Sequence, residues 1–129
     1  MVMDTSALLA IVLEEPESAV LLARLNATPQ PLLSAANWLE LGIVIDARKG
    51  PQWLPDLDAF LDGLDVVVIA LSLRQARIAR DAYRQYGRGN HPAGLNFGDC
   101  FAYALAKERD LPLLFKGDDF ARTDVRSAI

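Results

Sequence analysis

Apolar and polar residues along this chain follow two alternating rhythms. Short apolar runs, too brief for helices, occur at residues 2–3 (leading into Asp4), 32–33, 66–69 and 111–115. Between them, apolar residues recur every three or four positions, which is the helical period. The pattern predicts strands at those four runs. It predicts helices over residues 6–13, 16–25, 34–48, 53–61, 72–86 and 96–109, and a short one from Asp118. The breaks fit this division. Thr28-Pro29-Gln30-Pro31 is a turn, Gly50-Pro51 stops the long third helix, and Arg88 to Leu95 is a polar loop. Ser72 and Asn96 each precede a helical pattern and are expected N-caps. Val66-Val67-Val68-Ile69 reads as a strand buried on both faces, and Trp38 and Trp53 are expected in the core.

Strands that alternate with helices predict an α/β fold. The expected architecture is a three-layer α/β/α domain around a central parallel sheet. Functional sites in such sheets form beyond the carboxyl ends of the strands. The 129 residues, 52% of them hydrophobic, are expected to form one domain spanning 1–129. A chain of this length buries roughly two-thirds of its unfolded surface, enough for a core without covalent staples. The single cysteine, Cys100, excludes an internal disulfide and suits a reducing compartment. The N-terminal apolar stretch carries Asp4 and meets Glu14-Glu15, so neither a signal peptide nor a membrane span is expected. The expected location is the cytoplasm.

The net charge of −4 does not advertise nucleic-acid binding, but its distribution qualifies that. Between Ser72 and Asn96 stand Arg74, Arg77, Arg80, Arg84 and Arg88 against Asp81 alone. Their spacing of three, three, four and four residues puts them on one helical stripe. Such a stripe is either a solvated helix face or a surface for phosphates or an acidic partner.

The candidate chemistry lies in the acids. Asp4 ends the first strand, Asp99 lies in the first turn of the sixth helix, and Asp118-Asp119 follow the last strand. Glu40 sits within a largely apolar helix, where an unpaired carboxylate is costly and a cation would offset that cost. Each has an ordinary alternative role. Asp4 can cap a helix, Asp99 can complement a helix dipole, and Asp118 or Asp119 can cap the last helix. Together at one sheet edge they would suit a hard divalent cation such as Mg²⁺ or Mn²⁺. No His–Cys cluster, Walker loop, GxGxxG or GxSxG is present. His91, the only histidine, reads as a loop hydrogen-bonding or substrate-contacting group.

Four segments in order carry a resemblance across the whole chain: Met3-Asp4-Thr5-Ser6-Ala7-Leu8, Asn37-Trp38-Leu39-Glu40, Gly94-Leu95-Asn96-Phe97-Gly98-Asp99-Cys100, and Leu113 through Phe120. They resemble the PIN-domain ribonucleases, and more narrowly the VapC toxins of type II toxin–antitoxin pairs. The resemblance implies a Mg²⁺-dependent endoribonuclease, with Mn²⁺ as an alternative metal. It also implies an RNA substrate, a homodimer and inhibition by a VapB-type antitoxin. It implies catalytic roles for Asp4, Glu40, Asp99 and Asp119, with Asp4 and Asp99 as the principal metal ligands. Thr5 or Ser6 matches the hydroxyl that supports the first acid, and Asn96 and Asp118 are supporting residues. Arg84, Arg88 and His91 are candidate contacts to RNA phosphates. Many family members carry Thr or Ser on the last strand and an acid two residues later. Phe115 and Gly117 stand there in this chain, so Asp119 and Asp118 both remain candidates for the fourth acid.

Three other readings compete. A phosphorelay receiver has an early acid and a lysine after its last strand, here Lys116, but it needs an acceptor Asp after the middle strand, where this chain has Ala70-Leu71-Ser72. A PIN-like protein that binds RNA or a partner without cutting would keep the fold alone. A DNA-repair nuclease of the same fold would act on flap DNA.

Overall fold

The computed structural model describes residues 1–129. Four short parallel strands form the sheet: β1 (Val2–Met3), β2 (Leu32–Ser34), β3 (Val67–Ile69) and β4 (Leu113–Leu114), in the spatial order β3-β2-β1-β4. Val2 lies between Leu32 and Leu113, and Met3 between Leu33 and Leu114. The helices are α1 (Thr5–Val12), α2 (Ser18–Asn26), α3 (Ala35–Lys49), α4 (Leu54–Gly63), α5 (Leu73–Tyr86) and α6 (Phe97–Arg109).

The two-residue period of the strands divides the core. Val2 and Leu113 point to the face covered by α5 and α6, where they meet Ala79, Ala82, Ala102 and Leu105. Met3, Leu33 and Leu114 point to the opposite face, covered by α1 to α4 through Leu8, Leu21, Leu41 and Leu57. Successive strand side chains must point to opposite faces, so even a two-residue strand ties both cores together. This is the expected three-layer α/β/α arrangement.

The chain builds the sheet outward from β1 to β2 and β3, then crosses back to place β4 on the other side of β1. The direction of winding therefore reverses between β1 and β4. A crevice at the carboxyl ends of the strands opens at such a switch point.

Several local expectations are corrected. Val68 is 46% exposed because β3 is an edge strand, so it is not buried on both faces. Trp38 and Trp53 are also exposed and lie outside both core clusters. The second helix starts at Ser18 rather than Pro16, after Glu14 takes a positive φ of 53°. The last strand narrows to Leu113–Leu114, and the final helix is only a 3-10 turn at Phe120–Arg122. No helix is long and apolar enough to cross a membrane.

Candidate active site

Asp4 follows β1 directly, and its amide donates to the Leu114 carbonyl at 2.9 Å, extending the β1–β4 ladder. Its side chain caps α1: Oδ2 accepts from the Ser6 amide at 2.9 Å. The residue is only 2% exposed, and Oδ1 has no hydrogen-bond partner. The carboxylate thus caps a helix with one oxygen and leaves the other buried and unpaired. Burial raises the Asp4 pKa above the usual carboxylate range; the Ser6 contacts oppose this and the charge of Glu40 adds to it. The neighbouring Thr5 hydroxyl is also buried without a partner. Ser6 Oγ accepts from the Lys116 amide at 3.0 Å, which joins the start of α1 to the segment after β4.

Asp99 also has a capping role. Asn96 Oδ1 accepts from the Asp99 amide and Asp99 Oδ2 accepts from the Asn96 amide, both at 2.9 Å, forming a reciprocal capping box. The Asp99 pKa rises to about 7. Burial is the main cause, the Asn96 hydrogen bond opposes it, and the charges of Asp4, Asp119 and Glu40 add to it. Mutual repulsion of this kind identifies carboxylates that share one electrostatic site.

Glu40 reaches this site from α3. Asn37, one turn earlier on that helix and fully buried, donates from Nδ2 to the Gly98 carbonyl at 3.0 Å and to Glu40 Oε1 at 3.4 Å. The contact joins α3 in one helical layer to α6 in the other. It succeeds because residue 98 has no side chain: a Cβ there would lie 2.0 Å from Glu40 Oε2. In the sequence Asn37 stands out only as part of a motif segment. The available signal was a polar residue three positions before Glu40 on one helical face.

Of the two acids after β4, Asp119 adds its charge to the repulsion that raises the Asp99 pKa. Gly117 takes a positive φ of 93° and turns the chain there. Asp119 stands at the cap position of the 3-10 turn but makes no capping bond, so its carboxylate is not committed to the backbone. Both acids are exposed. Phe115 packs against Phe120, with ring centroids 5.2 Å apart. Lys116 pairs with Glu15 and lies 3.6 Å from Glu17.

No three His, Cys, Asp or Glu side chains close onto one point as a preformed metal cage. The carboxylates form an open cluster, and none of them lines the five main grooves. The unpaired Asp4 oxygen and the Asp99 carboxyl, on which the charges of Glu40 and Asp119 act, still fit a hard cation. Mg²⁺ typically keeps several waters and takes only one or two carboxylates from a protein.

The helical stripe holds four arginines rather than five, because α5 ends at Tyr86 and Arg88 lies beyond it. Arg74, Arg77, Arg80, Arg84 and Arg88 are exposed, and none forms an ion pair. Gln75, Ala79, Ala82 and Tyr86 line the opposite, buried face of α5. Arg88 lies where the end of α5 is tied to the start of α6, its amide donating to the Leu95 carbonyl at 2.9 Å. His91 Nδ1 accepts from the Ala93 amide at 3.0 Å, and its ring packs edge-on against Tyr86. His91 therefore serves the loop through a hydrogen bond.

Known proteins resemble this chain along its whole length. The PIN domain profile matches residues 1–126. Ribonuclease VapC of Mycolicibacterium smegmatis is 49% identical over 125 residues, covering 97% of both chains. Ribonuclease VapC28 of Mycobacterium tuberculosis is 47% identical, covering 100% of this chain and 98% of its own. Among solved structures, VapC20 of Mycobacterium tuberculosis, a sarcin–ricin loop cleaving toxin, superposes with a TM-score of 0.78 at 13% identity, covering 96% of this chain and 95% of its own. VapBC2 of Rickettsia felis, bound to a promoter DNA fragment, gives 0.73 at 16% identity, covering 98% and 94%. The receiver reading falls away, since the sheet and the acids both follow a different plan. The profile match and the end-to-end identity with named ribonucleases place this chain in the VapC family of PIN-domain ribonucleases.

Proposed function

We propose that this ribonuclease is the toxin of a VapB–VapC pair, cutting RNA phosphodiester bonds at the β1/β4 switch point with Mg²⁺, for which Mn²⁺ substitutes. In this reading residues 1–129 act as one nuclease unit in the cytoplasm. The unit pairs as a homodimer and is silenced by a VapB-type antitoxin. The observation that carries the reading is Asp4 Oδ1, a buried carboxylate oxygen with no partner, in a residue whose charge, with those of Glu40 and Asp119, acts on Asp99.

A bound divalent ion would supply the positive charge that eases deprotonation of water and stabilises charge on the scissile phosphate. Asp4 and Asp99 would hold it. The Ser6 and Asn96 amides, each holding one carboxylate oxygen, fix the orientation of these two side chains. Asn37 holds Glu40 at the edge of the cluster, and Asp119, free of any cap, completes it. Thr5, Ser6 and Asp118 would support the site from the flanks. Without a cation the Asp99 pKa is raised to about 7, so metal binding near neutrality would displace its proton. Arg84, Arg88 and His91 would hold phosphates flanking the cut. Without a cation the carboxylates repel RNA, so substrate and metal are expected to bind cooperatively.

The test is cleavage of total cellular RNA by the purified protein, freed of antitoxin, in Mg²⁺, Mn²⁺ or EDTA. Discrete products that need metal and disappear in Asp4→Asn are expected. Cleavage that persists in EDTA and in Asp4→Asn would sink the assignment. A folded, metal-binding protein that cuts nothing would favour the binding-only reading.

A further inference from the structure

Asp119 sits on a segment that the rest of the backbone hardly holds. The Lys116 amide is bound by Ser6, but the backbone hydrogen bonds of residues 117–123 run only among themselves, from the Arg122 amide to the Asp119 carbonyl and from the Thr123 amide to the Phe120 carbonyl. Side chains therefore fix the segment. Phe120 is buried in the core cluster that holds Cys100 and Tyr103 of α6. Arg122 Nη1 donates to the Pro92 carbonyl at 3.3 Å. Asp124 holds the far end: its Oδ1 accepts from the Tyr103 hydroxyl at 2.7 Å, and its Oδ2 accepts from Lys107 Nζ at 2.9 Å.

Asp99, Tyr103 and Lys107 follow one another at four-residue steps along α6. They line one face of the helix over roughly 12 Å. The segment after β4 runs down that face. The charge of Asp119 acts on Asp99 at the helix start, and Asp124 closes on Tyr103 and Lys107 one and two turns further on. Tyr103 is the stronger of the two anchors. The Lys107–Asp124 pair is open to solvent on both sides, and such pairs hold a geometry weakly. Tyr103 is only 6% exposed, with its ring 5.9 Å from that of Tyr86, so its hydroxyl is a fixed donor to an acid. The chain beyond Asp124 has its own ties. The Leu113 amide donates to the Arg126 carbonyl, the Ala128 amide donates to the Leu113 carbonyl, and Arg126 binds Asp110. What Asp124 adds is restraint on the stretch before it, which carries Asp119.

We propose that Tyr103, acting through Asp124, is a positioning residue for the metal site: the contact pins the far end of the 117–124 segment along α6 and so holds the Asp119 carboxylate facing Asp99. The inference rests on the nuclease reading above, in which Asp119 completes the carboxylate cluster. It adds the two residues, both remote from the cluster, that set the place of that acid.

The test measures Mn²⁺ binding by the full chain, free of antitoxin and RNA, from the loss of the free-ion electron paramagnetic resonance signal. Tyr103→Phe keeps the ring and removes only the hydroxyl. Asp124→Ala removes the acceptor from an exposed position, where the fold tolerates it. Each should weaken Mn²⁺ binding roughly 10-fold, the low end of what losing a ligand's supporting partner costs. Neither should cost anything further in a chain that already carries Asp119→Asn, because the contact then has no carboxylate to position. Lys107→Met should cost less than Tyr103→Phe. Arg126→Ala loosens the terminal strand without touching the contact and should leave the affinity unchanged. Wild-type affinity in both Tyr103→Phe and Asp124→Ala would overturn the proposal. Equal losses with and without Asp119→Asn would overturn it too, as would a matching loss in Arg126→Ala, since both mark a general loosening of the fold. RNA cleavage is scored separately, and the rate lost in Tyr103→Phe should return as Mg²⁺ is raised. Wild-type cleavage with Mn²⁺ affinity unchanged in both variants defeats the positioning role alone. An Asp119-dependent loss of Mn²⁺ affinity without wild-type cleavage defeats the nuclease reading and leaves the positioning role standing.

Discussion

Gly98 and Glu40 meet where α6 crosses α3, so closely that a single methyl group on residue 98 would lie 2.0 Å from the Glu40 carboxylate. The obstruction is the far end of a flexible side chain, so the fold can absorb it by moving Glu40. The two effects of Gly98→Ala therefore separate. Alanine is the better helix former by roughly 0.5–1 kcal/mol, and thermal stability should hold or rise slightly. Metal-dependent RNA cleavage should fall by up to about 100-fold, because a displacement of about 1 Å in a positioned group has that scale of effect. Full activity in a folded Gly98→Ala protein would remove Glu40 from the mechanism.

Asn37 joins the two helical layers through the Gly98 carbonyl. Asn37→Ala removes that contact and frees Glu40 from its only side-chain donor, while the Gly98 carbonyl keeps its place in the ladder of α6. A loss of roughly 0.5–1.5 kcal/mol in unfolding free energy is expected. Chemical denaturation measures this directly; an unchanged midpoint and slope would show that water replaces the contact without cost.

The shift of Asp99 predicts how stability depends on pH without metal. Its pKa is raised from 3.8 to about 7 on folding, so the folded chain binds this proton more tightly than the unfolded one. The favourable contribution is complete below the unfolded value and is lost as pH rises through about 7. Asp99→Asn removes the dependence. The melting temperature of Asp99→Asn relative to wild type should therefore climb between about pH 4 and about pH 8. Mg²⁺ favours the ionised carboxylate, so its stabilising effect on the wild type should grow over the same interval. A difference independent of pH would contradict the shared electrostatic site.

Asp118 and Asp119 are adjacent but not equivalent. Asp119 adds to the repulsion that lifts Asp99, and no capping bond holds it back. Asp119→Asn should lower metal-dependent cleavage by about 10- to 100-fold, as loss of a supporting carboxylate does at metal sites. Asp118→Asn, which removes only a flanking acid, should cost less than Asp119→Asn in the same assay. The reverse ranking would identify Asp118 as the fourth acid.

The order of strands and helices was legible in the chain because its signals are short-ranged. Period-2 and period-3.6 apolar spacing mark the elements, and Ser72 and Asn96 cap the helices they precede through contacts three residues away. The four motif segments named the family for the same reason: each is a local run of residues. Burial on particular faces was not legible. Val66–Ile69 looks like an interior strand, and only the order β3-β2-β1-β4 makes it an edge. Trp38 and Trp53 fit a helical apolar pattern, yet the stripe that faces the core passes through Leu41, Ile45 and Leu57 instead. The meeting of Asn37, Glu40 and Gly98 spans 61 residues of sequence and depends on how α3 and α6 pass each other over the sheet. The contact of Tyr103 with Asp124 likewise spans 21 residues and appears only when the segment after β4 returns along α6. Local spacing sets an element's period and its caps, whereas partners across the fold depend on strand order and on helices from opposite layers converging at the β1/β4 switch point.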